Sequence, residues 1–113
     1  MNETEMMLVF TTLPDDASAQ RLAQALVEAR LAACVSIQAP CRSYYRWQGA
    51  IEAANEVPLL CKTSAARVAD LTARIRALHP YELPEIVTVR VADGLPAYLD
   101  WVAAETAVDG LQR

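Results

Sequence analysis

The chain has 113 residues, with ten basic side chains, fourteen acidic ones and a single histidine, which gives a net charge of −4. An acidic surface with one lysine and no basic run disfavours nucleic acid as a partner, and no apolar run is long enough to span a membrane. The composition, rich in alanine, leucine and valine and poor in glycine, is typical of one globular domain over 1–113.

The N-terminus and the cysteines bear on the compartment. The opening residues MNETEMM are acidic and lack the charged and then apolar layout of a secretion signal. The three cysteines, Cys34, Cys41 and Cys61, are odd in number and form no C-x-x-C motif. They therefore favour reduced thiols in a cytoplasmic protein, and a free cysteine is by default a small packed hydrophobe.

The first elements follow from hydrophobic periodicity. The apolar stretch at 6–12 predicts a buried strand. Asp15 or Asp16 can cap a helix that ends near Arg30, because a short side-chain oxygen satisfies free N–H groups of the first turn. At 33–39 the apolar period changes to two, which predicts a second strand.

A long hairpin is predicted next. Pro40 interrupts the second strand, extended character resumes at 41–47, and a return strand runs over 51–63 with the turn near Gly49. Pro40 and Pro58 cannot donate ladder hydrogen bonds, so each is expected at a sheet edge or a bulge. Fully extended at about 3.3 Å per residue, this hairpin would be roughly 40 to 50 Å long.

The second half of the chain predicts two helices and a strand. Ser64 is a suitable N-cap for a helix whose apolar stripe contains Val68, Leu71, Ile75 and Leu78. Pro80 ends that helix and leaves His79 at its C-terminus. Residues 85–91 predict a further strand, and Pro96 suits the first turn of a third helix with apolar contacts from Tyr98, Leu99, Trp101 and Val102. The tail at 109–113 is expected to be loose.

The order of elements predicts an α+β fold. It is βαββαβ plus a C-terminal helix, the ferredoxin-like split β-α-β layout with an antiparallel sheet. Two helices cover one face of such a sheet, so the other face is either wet or covered by a partner. A projecting hairpin that carries Tyr44, Tyr45 and Trp47 is typical of an oligomerisation arm, which favours a closed homo-oligomer.

The chain resembles the CutA divalent-cation-tolerance family over roughly residues 7–103. The resemblance is carried by LAAC at 31–34, YRWQGAI at 45–51, LCKT at 60–63 and HPYELPEI at 79–86. It implies a PII-like trimer in which long hairpins pack between subunits. It also implies a role in tolerance of copper or other divalent metals.

His79 is the candidate metal ligand that follows from this resemblance. Imidazole binds Cu²⁺ well, although protein sites use three or four ligands. The metal-linked pattern of some relatives pairs a cysteine on the first strand with two adjacent histidines, and those positions here are Thr11 and Leu78, with His79 alone retained. The alternative interpretation is that His79 closes the helix by bonding a carbonyl there.

A pocket shared between subunits is the second site hypothesis. Its candidate residues are Cys34, Arg46, Lys62, Tyr81 and Glu85, with His79 nearby. Lys62, at a helix N-terminus, could hold an anion with help from Arg46, or these cations could pair with Glu85 across an interface. The aromatic side chains Tyr45, Trp47 and Trp101 are expected at the oligomer interface.

Three classes of function therefore remain in order of preference. The first is a trimeric cytoplasmic protein of divalent-metal tolerance that binds copper weakly, with no cofactor otherwise. The second is a PII-like signalling or scaffold trimer that binds a small anion or a partner protein at clefts between subunits. An enzyme is the third, because one histidine, three glycines and no nucleophile motif leave most catalytic schemes without their residues.

Overall fold

The computed structural model describes residues 2–108, which form an α+β domain, and the predicted loose tail at 109–113 lies outside the described residues. The domain contains five strands and three α-helices. In order they are β1 (Met6–Leu13), α1 (Asp16–Glu28), β2 (Cys34–Ile37), β3 (Cys41–Trp47), β4 (Ala50–Ser64), α2 (Val68–Leu78), β5 (Val87–Arg90) and α3 (Pro96–Glu105).

The strands form an antiparallel sheet in the order β2-β4-β1-β5, and β3 pairs with β4 beyond β2. The predicted second strand is therefore two strands. Ile37 lies opposite Leu59 and Cys41 opposite Glu56, so residues 38–40 face only residues 57 and 58. This extra residue is a β-bulge, and Pro40 and Pro58 both lie in it, where a missing N–H removes no ladder hydrogen bond. The proline prediction is confirmed.

The hydrophobic core lies between the sheet and helices α1 and α2. The strands contribute Val9, Leu13, Leu59 and Cys61, each at most 1% exposed. The helices bury their apolar stripes against them through Leu22, Leu26, Leu71 and Ile75. Full burial of each such leucine or isoleucine contributes about 1.5–3 kcal/mol, which makes this packing the main source of stability.

Helix α1 begins and ends as its sequence predicts. Asp15 has extended backbone angles, and its side chain accepts a hydrogen bond of 2.7 Å from the N–H of Ser18. That bond lowers the pKa of Asp15. At the other end Arg30 is left-handed with φ 59°, and the N–H of Leu31 bonds the carbonyl of Leu26 at 3.0 Å. This is the hydrogen bond of a Schellman-type helix end.

Helix α2 ends before Pro80 as predicted, but its N-terminus and one residue of its apolar stripe differ from prediction. Ser64 is the last residue of β4 and makes no side-chain cap; a 3-10 turn at Ala65–Arg67 precedes the helix. The Ser64 hydroxyl instead accepts a hydrogen bond of 3.0 Å from the Thr106 hydroxyl, inside the domain. Leu78, predicted in the buried stripe, is 51% exposed. The stripe runs from Leu71 through Ile75 in steps of four, and the next such position is His79, only 8% exposed.

Helix α3 covers part of the sheet face opposite α1 and α2. Because Val9 pairs with Cys61 on the core face, the alternating pairs Leu8–Lys62 and Met6–Ser64 point the other way. Tyr98 and Thr106 of the α3 region lie over Lys62 and Ser64 respectively. Val87 and Val89 of β5, on the same face, stay about half exposed. Among the helices within residues 2–108, none is both long and apolar enough to cross a membrane.

Strand β3 and the first half of β4 form a hairpin that projects from the domain, here called the arm (41–56). The domain measures 51 × 26 × 23 Å, so it is twice as long as it is wide. At the tip, Gln48 and Gly49 have φ values of 50° and 84° between the paired residues Trp47 and Ala50. Two positive φ values in a two-residue loop define a type I′ turn, and the predicted hairpin is confirmed.

Candidate functional site

His79 lies at the junction of α2 and β1, where it makes two hydrogen bonds. Its Nε2 atom is 2.7 Å from the carbonyl oxygen of Thr12, near the end of β1. Its Nδ1 atom accepts a hydrogen bond of 3.1 Å from the backbone N–H of Tyr81. Since Nδ1 is an acceptor, the proton of the neutral ring is on Nε2, which donates to Thr12. The single histidine therefore closes α2, but through a strand carbonyl and not a helix carbonyl.

This hydrogen-bond pattern leaves neither ring nitrogen with a free lone pair. A metal ion at His79 must therefore displace either the Tyr81 N–H from Nδ1 or the proton from Nε2. The positions that the metal-linked pattern assigns to the other ligands offer no sulfur or imidazole. Thr11 is a buried hydroxyl on the core face of β1, and Leu78 is an exposed side chain at the end of α2.

A concave cleft of about 800 Å³ separates the arm from the segment at 80–85. It brings together three of the five residues predicted for the shared pocket, Arg46, Tyr81 and Glu85, with Tyr45 and Trp47 of the predicted interface. The remaining lining residues are Thr12, Ser43, Tyr44, Glu56, Pro80, Glu82 and Leu83. Its walls are thus aromatic, and its carboxylates outnumber its one guanidinium.

The other two pocket residues lie elsewhere. Cys34 and Lys62 are direct partners across β2 and β4, on the sheet face that α3 partly covers. The Lys62 ammonium is 5.8 Å from the ring centre of Tyr98, within range of a cation–π interaction. Trp101, also on α3, is 43% exposed and tilts against Tyr98 at 5.5 Å. The predicted pocket is therefore divided within one chain between the cleft and this sheet face.

The cleft contains two residues that sequence reasoning did not single out, Glu56 and Thr12. One oxygen of Glu56, Oε2, accepts hydrogen bonds from the hydroxyl of Tyr81 at 3.1 Å and from the hydroxyl of Thr12 at 3.2 Å. Burial, followed by the hydrogen bond to Glu56, raises the pKa of Tyr81 to about 12, so the phenol stays protonated and donates. No local spacing points to this contact, because Thr12 and Glu56 are 44 residues apart.

His79, Thr12, Glu56 and Tyr81 thus form a closed ring of hydrogen bonds. The two links through His79 use backbone atoms of Thr12 and Tyr81, and the two links through Glu56 use their hydroxyls. The centres of the His79 imidazole and the Tyr81 phenol ring are also 4.8 Å apart. This cycle of hydrogen bonds joins the end of β1, the end of α2 and the base of the arm.

The three thiols are free and differ in exposure. Cys61 is buried in the core, and burial, with a smaller effect of the nearby Cys34 thiol, raises its pKa to about 12. Cys34 is half-buried and Cys41, at the base of the arm, is exposed. Within residues 2–108 of one chain, no three His, Cys, Asp or Glu side chains are placed so that they could hold a metal ion.

Known proteins resemble this chain along most of its length. A family model described as CutA1 divalent ion tolerance protein matches residues 7–105. The divalent-cation tolerance protein CutA of Thermus thermophilus is 46% identical over 99 residues, which cover 88% of this chain and 96% of that protein.

Solved structures agree with this sequence similarity. CutA of Xylella fastidiosa has a TM-score of 0.88 at 47% identity and covers 90% of this chain and 98% of that one. A CutA of Archaeoglobus fulgidus, described as a periplasmic divalent cation tolerance protein, has a TM-score of 0.87 at 35% identity, with 89% and 98% covered. The ferredoxin-like architecture and the family matches lead to one conclusion: this chain belongs to the CutA1 divalent ion tolerance protein family.

Proposed function

We propose that this chain assembles as a homotrimer in the cytoplasm and acts in the tolerance of divalent metal ions, with weak binding of copper. The family model and the names of the relatives support the metal-tolerance role. They describe tolerance proteins and not enzymes, so the function proposed is one of binding and assembly.

The observation that carries the assembly is the arm. It projects from the domain and exposes four large apolar or aromatic side chains, Tyr44, Tyr45, Trp47 and Ile51, of which Tyr44 and Ile51 are more than 70% exposed. The half-exposed valines of β5 and Trp101 add a second apolar area on the sheet face. Apolar surface of this kind is typical of protein interfaces, where aromatic side chains provide most of the binding energy.

Sedimentation equilibrium tests the assembly. The wild-type protein is expected at three times the chain mass of 12.4 kDa at micromolar concentration. Trp47→Lys is expected to dissociate the trimer, because it places a charge in an aromatic contact. Val27→Lys, which changes a comparably exposed apolar residue on α1, is the matched control and should leave the trimer intact. A wild-type protein that sediments as one chain would contradict the proposal.

Weak copper binding follows from the chemistry of His79. Imidazole is a good ligand for Cu²⁺, but here the ion competes with two hydrogen bonds. That competition lowers the affinity relative to a free imidazole. Calorimetric titration with CuCl₂ is expected to give saturable heat that His79→Gln removes and Cys41→Ser preserves. Unchanged binding in His79→Gln would exclude His79 as the ligand.

A small anion or a partner protein at clefts between subunits is the second candidate. It is favoured by Lys62 and Arg46, which take part in no ion pair among the three found in residues 2–108. The nitrogen-regulatory P-II proteins share this architecture, which supports the idea only by analogy of fold. Titration with inorganic phosphate should give binding that Lys62→Ala abolishes. A scaffold role predicts instead that the trimer and a bound partner persist in both Lys62→Ala and Arg46→Ala.

The cytoplasmic location is supported by three free thiols, which persist in reducing compartments. Cell fractionation with a tagged full-length protein tests this location, and recovery in a periplasmic or other exported fraction would contradict it.

A further inference from the structure

We propose that the contact of Glu56 with Thr12 and Tyr81 is a latch that fixes the direction in which the arm leaves the domain, with His79 holding Tyr81 in place. Glu56 and Thr12 are not among the metal or anion ligands considered above, whereas His79 is also the proposed copper ligand. Its effect on assembly rests on the proposed trimer, whereas its effect on the arm itself does not.

The position of Glu56 in β4 is the first argument. From Val57 to Ser64, β4 pairs with β1 and belongs to the main sheet. From Ala50 to Glu56 it pairs with β3 alone in the register of the arm. Glu56 is therefore the first residue of the arm beside the main sheet. The bulge at 38–40 lies directly opposite this junction and interrupts the ladder on the other side.

A junction with a bulge on one side does not by itself fix an angle. Bulges bend and twist the strand in which they occur, and the ladder is locally broken there. Beyond Leu13, β1 no longer accompanies β4, so the arm continues as two strands. A two-stranded ribbon is marginal in isolation and bends easily. Some further contact must therefore set its direction relative to the domain.

The carboxylate of Glu56 supplies such a contact from two sides. Thr12 donates from β1, which belongs to the main sheet, and Tyr81 donates from the segment after α2. Both hydroxyls bond the same oxygen, so a change in the angle of the arm breaks both bonds together. Hydrogen bonds to a charged acceptor are stronger than neutral ones, which makes Glu56 effective in this position.

His79 completes the device by positioning Tyr81. The segment after α2 has irregular structure, and Tyr81 is two residues beyond His79. The ring of His79 bonds the backbone N–H of Tyr81 and, through its other nitrogen, the carbonyl of Thr12. Both donors to Glu56 are thereby held by the same imidazole. His79 acts on the arm through Tyr81 and is a positioning residue.

Hydrogen exchange read by mass spectrometry tests the latch. In Tyr81→Phe and in Thr12→Val, amides at the base of the arm, in 41–44 and 53–56, are expected to exchange about tenfold faster, the factor that loss of one such bond implies. Amides of the main sheet, in 7–10 and 59–63, should keep their wild-type rates. Glu52→Gln changes an exposed side chain on the same arm that makes none of the three ion pairs within residues 2–108; it is the control and should change neither region.

Two results would overturn the latch. One is an unchanged rate at the base of the arm in Tyr81→Phe. The other is an equal acceleration in both regions, which would make the contact a general stabilising one. Sedimentation of each variant separates this test from the trimer proposal. Faster exchange at the base of the arm in a protein that sediments as one chain would support the latch and contradict the trimer.

Discussion

The Nε2 atom of His79 donates to the carbonyl oxygen of Thr12 at 2.7 Å and so joins residues 67 positions apart. The contact connects the C-terminus of α2 to the end of β1, while Nδ1 of the same ring holds the N–H of Tyr81. The ring is only 8% exposed, and its contact with the Thr12 carbonyl is buried. The only histidine of the chain is thus a structural tie between two elements of the core.

His79→Ala is predicted to lower the free energy of unfolding by about 2–4 kcal/mol, since it removes a packed ring and leaves a buried carbonyl and an N–H without partners. Urea unfolding followed by far-ultraviolet circular dichroism measures the loss. Leu78→Ala is the matched control: this neighbour is exposed, and its truncation should cost less than about 1 kcal/mol. Equal losses in the two variants would contradict the role assigned to His79.

The order of elements could be predicted from the sequence because each signal is local. Periods of two and of three to four, Asp15 before α1 and Pro80 after α2 all act within one element. The burial of His79 was also readable in principle, since it follows Ile75 by four residues. Pro80 identifies His79 as the end of the helix, and this position does not by itself indicate that the side chain continues the buried stripe.

The composition of the site could be predicted only in part. Arg46, Tyr81 and Glu85 meet in the cleft because the arm and the 80–85 segment are both near the end of β1. Lys62 does not join them, since strand alternation directs it to the opposite sheet face beside Cys34. The role of Glu56 depends on a register between distant strands, and such a register is not encoded in local spacing.

Thr11→Val is predicted to stabilise the protein by up to about 1 kcal/mol. The hydroxyl of Thr11 is buried and has no hydrogen-bond partner among the described residues, which is unfavourable, and valine has nearly the same shape. Thr63→Val is the matched comparison, because its buried hydroxyl donates to the carbonyl of Leu31 at 2.7 Å. That variant should lose about 1–3 kcal/mol. Urea unfolding measures both, and changes of the same sign would refute the distinction.

Stability is predicted to fall at alkaline pH through Cys61. The pKa of this thiol is raised from 9.0 to about 12 by burial, so above pH 9 the unfolded chain releases a proton that the folded chain retains. The unfolded state then binds fewer protons, and the free energy of unfolding declines by at most about 1.4 kcal/mol per pH unit between pH 9 and 12. Below pH 9 this contribution is constant.

Cys61→Ala should make that alkaline decline shallower, although the cavity lowers stability at every pH. The measurement is a series of urea unfolding curves from pH 7 to 11. Val57→Ala truncates a core side chain of the same strand without removing a titrating group, and it should keep the wild-type slope. If the wild-type and Cys61→Ala slopes coincide, the thiol does not account for the decline.

Opposite effects are predicted for the two residues at the tip of the arm. Gly49 has φ 84°, and although a Cβ there would meet no atom within 4 Å, the left-handed backbone disfavours alanine by about 1–2 kcal/mol. Gln48, with φ 50°, also carries this cost, and asparagine tolerates the conformation better. Gly49→Ala should therefore accelerate hydrogen exchange in 44–54, and Gln48→Asn should slow it. The two variants serve as each other's control, because a general effect of substitution at the tip would change the exchange rate in the same direction in both. Exchange that changes in the same direction in both would rule out the type I′ turn as the determinant of arm stability.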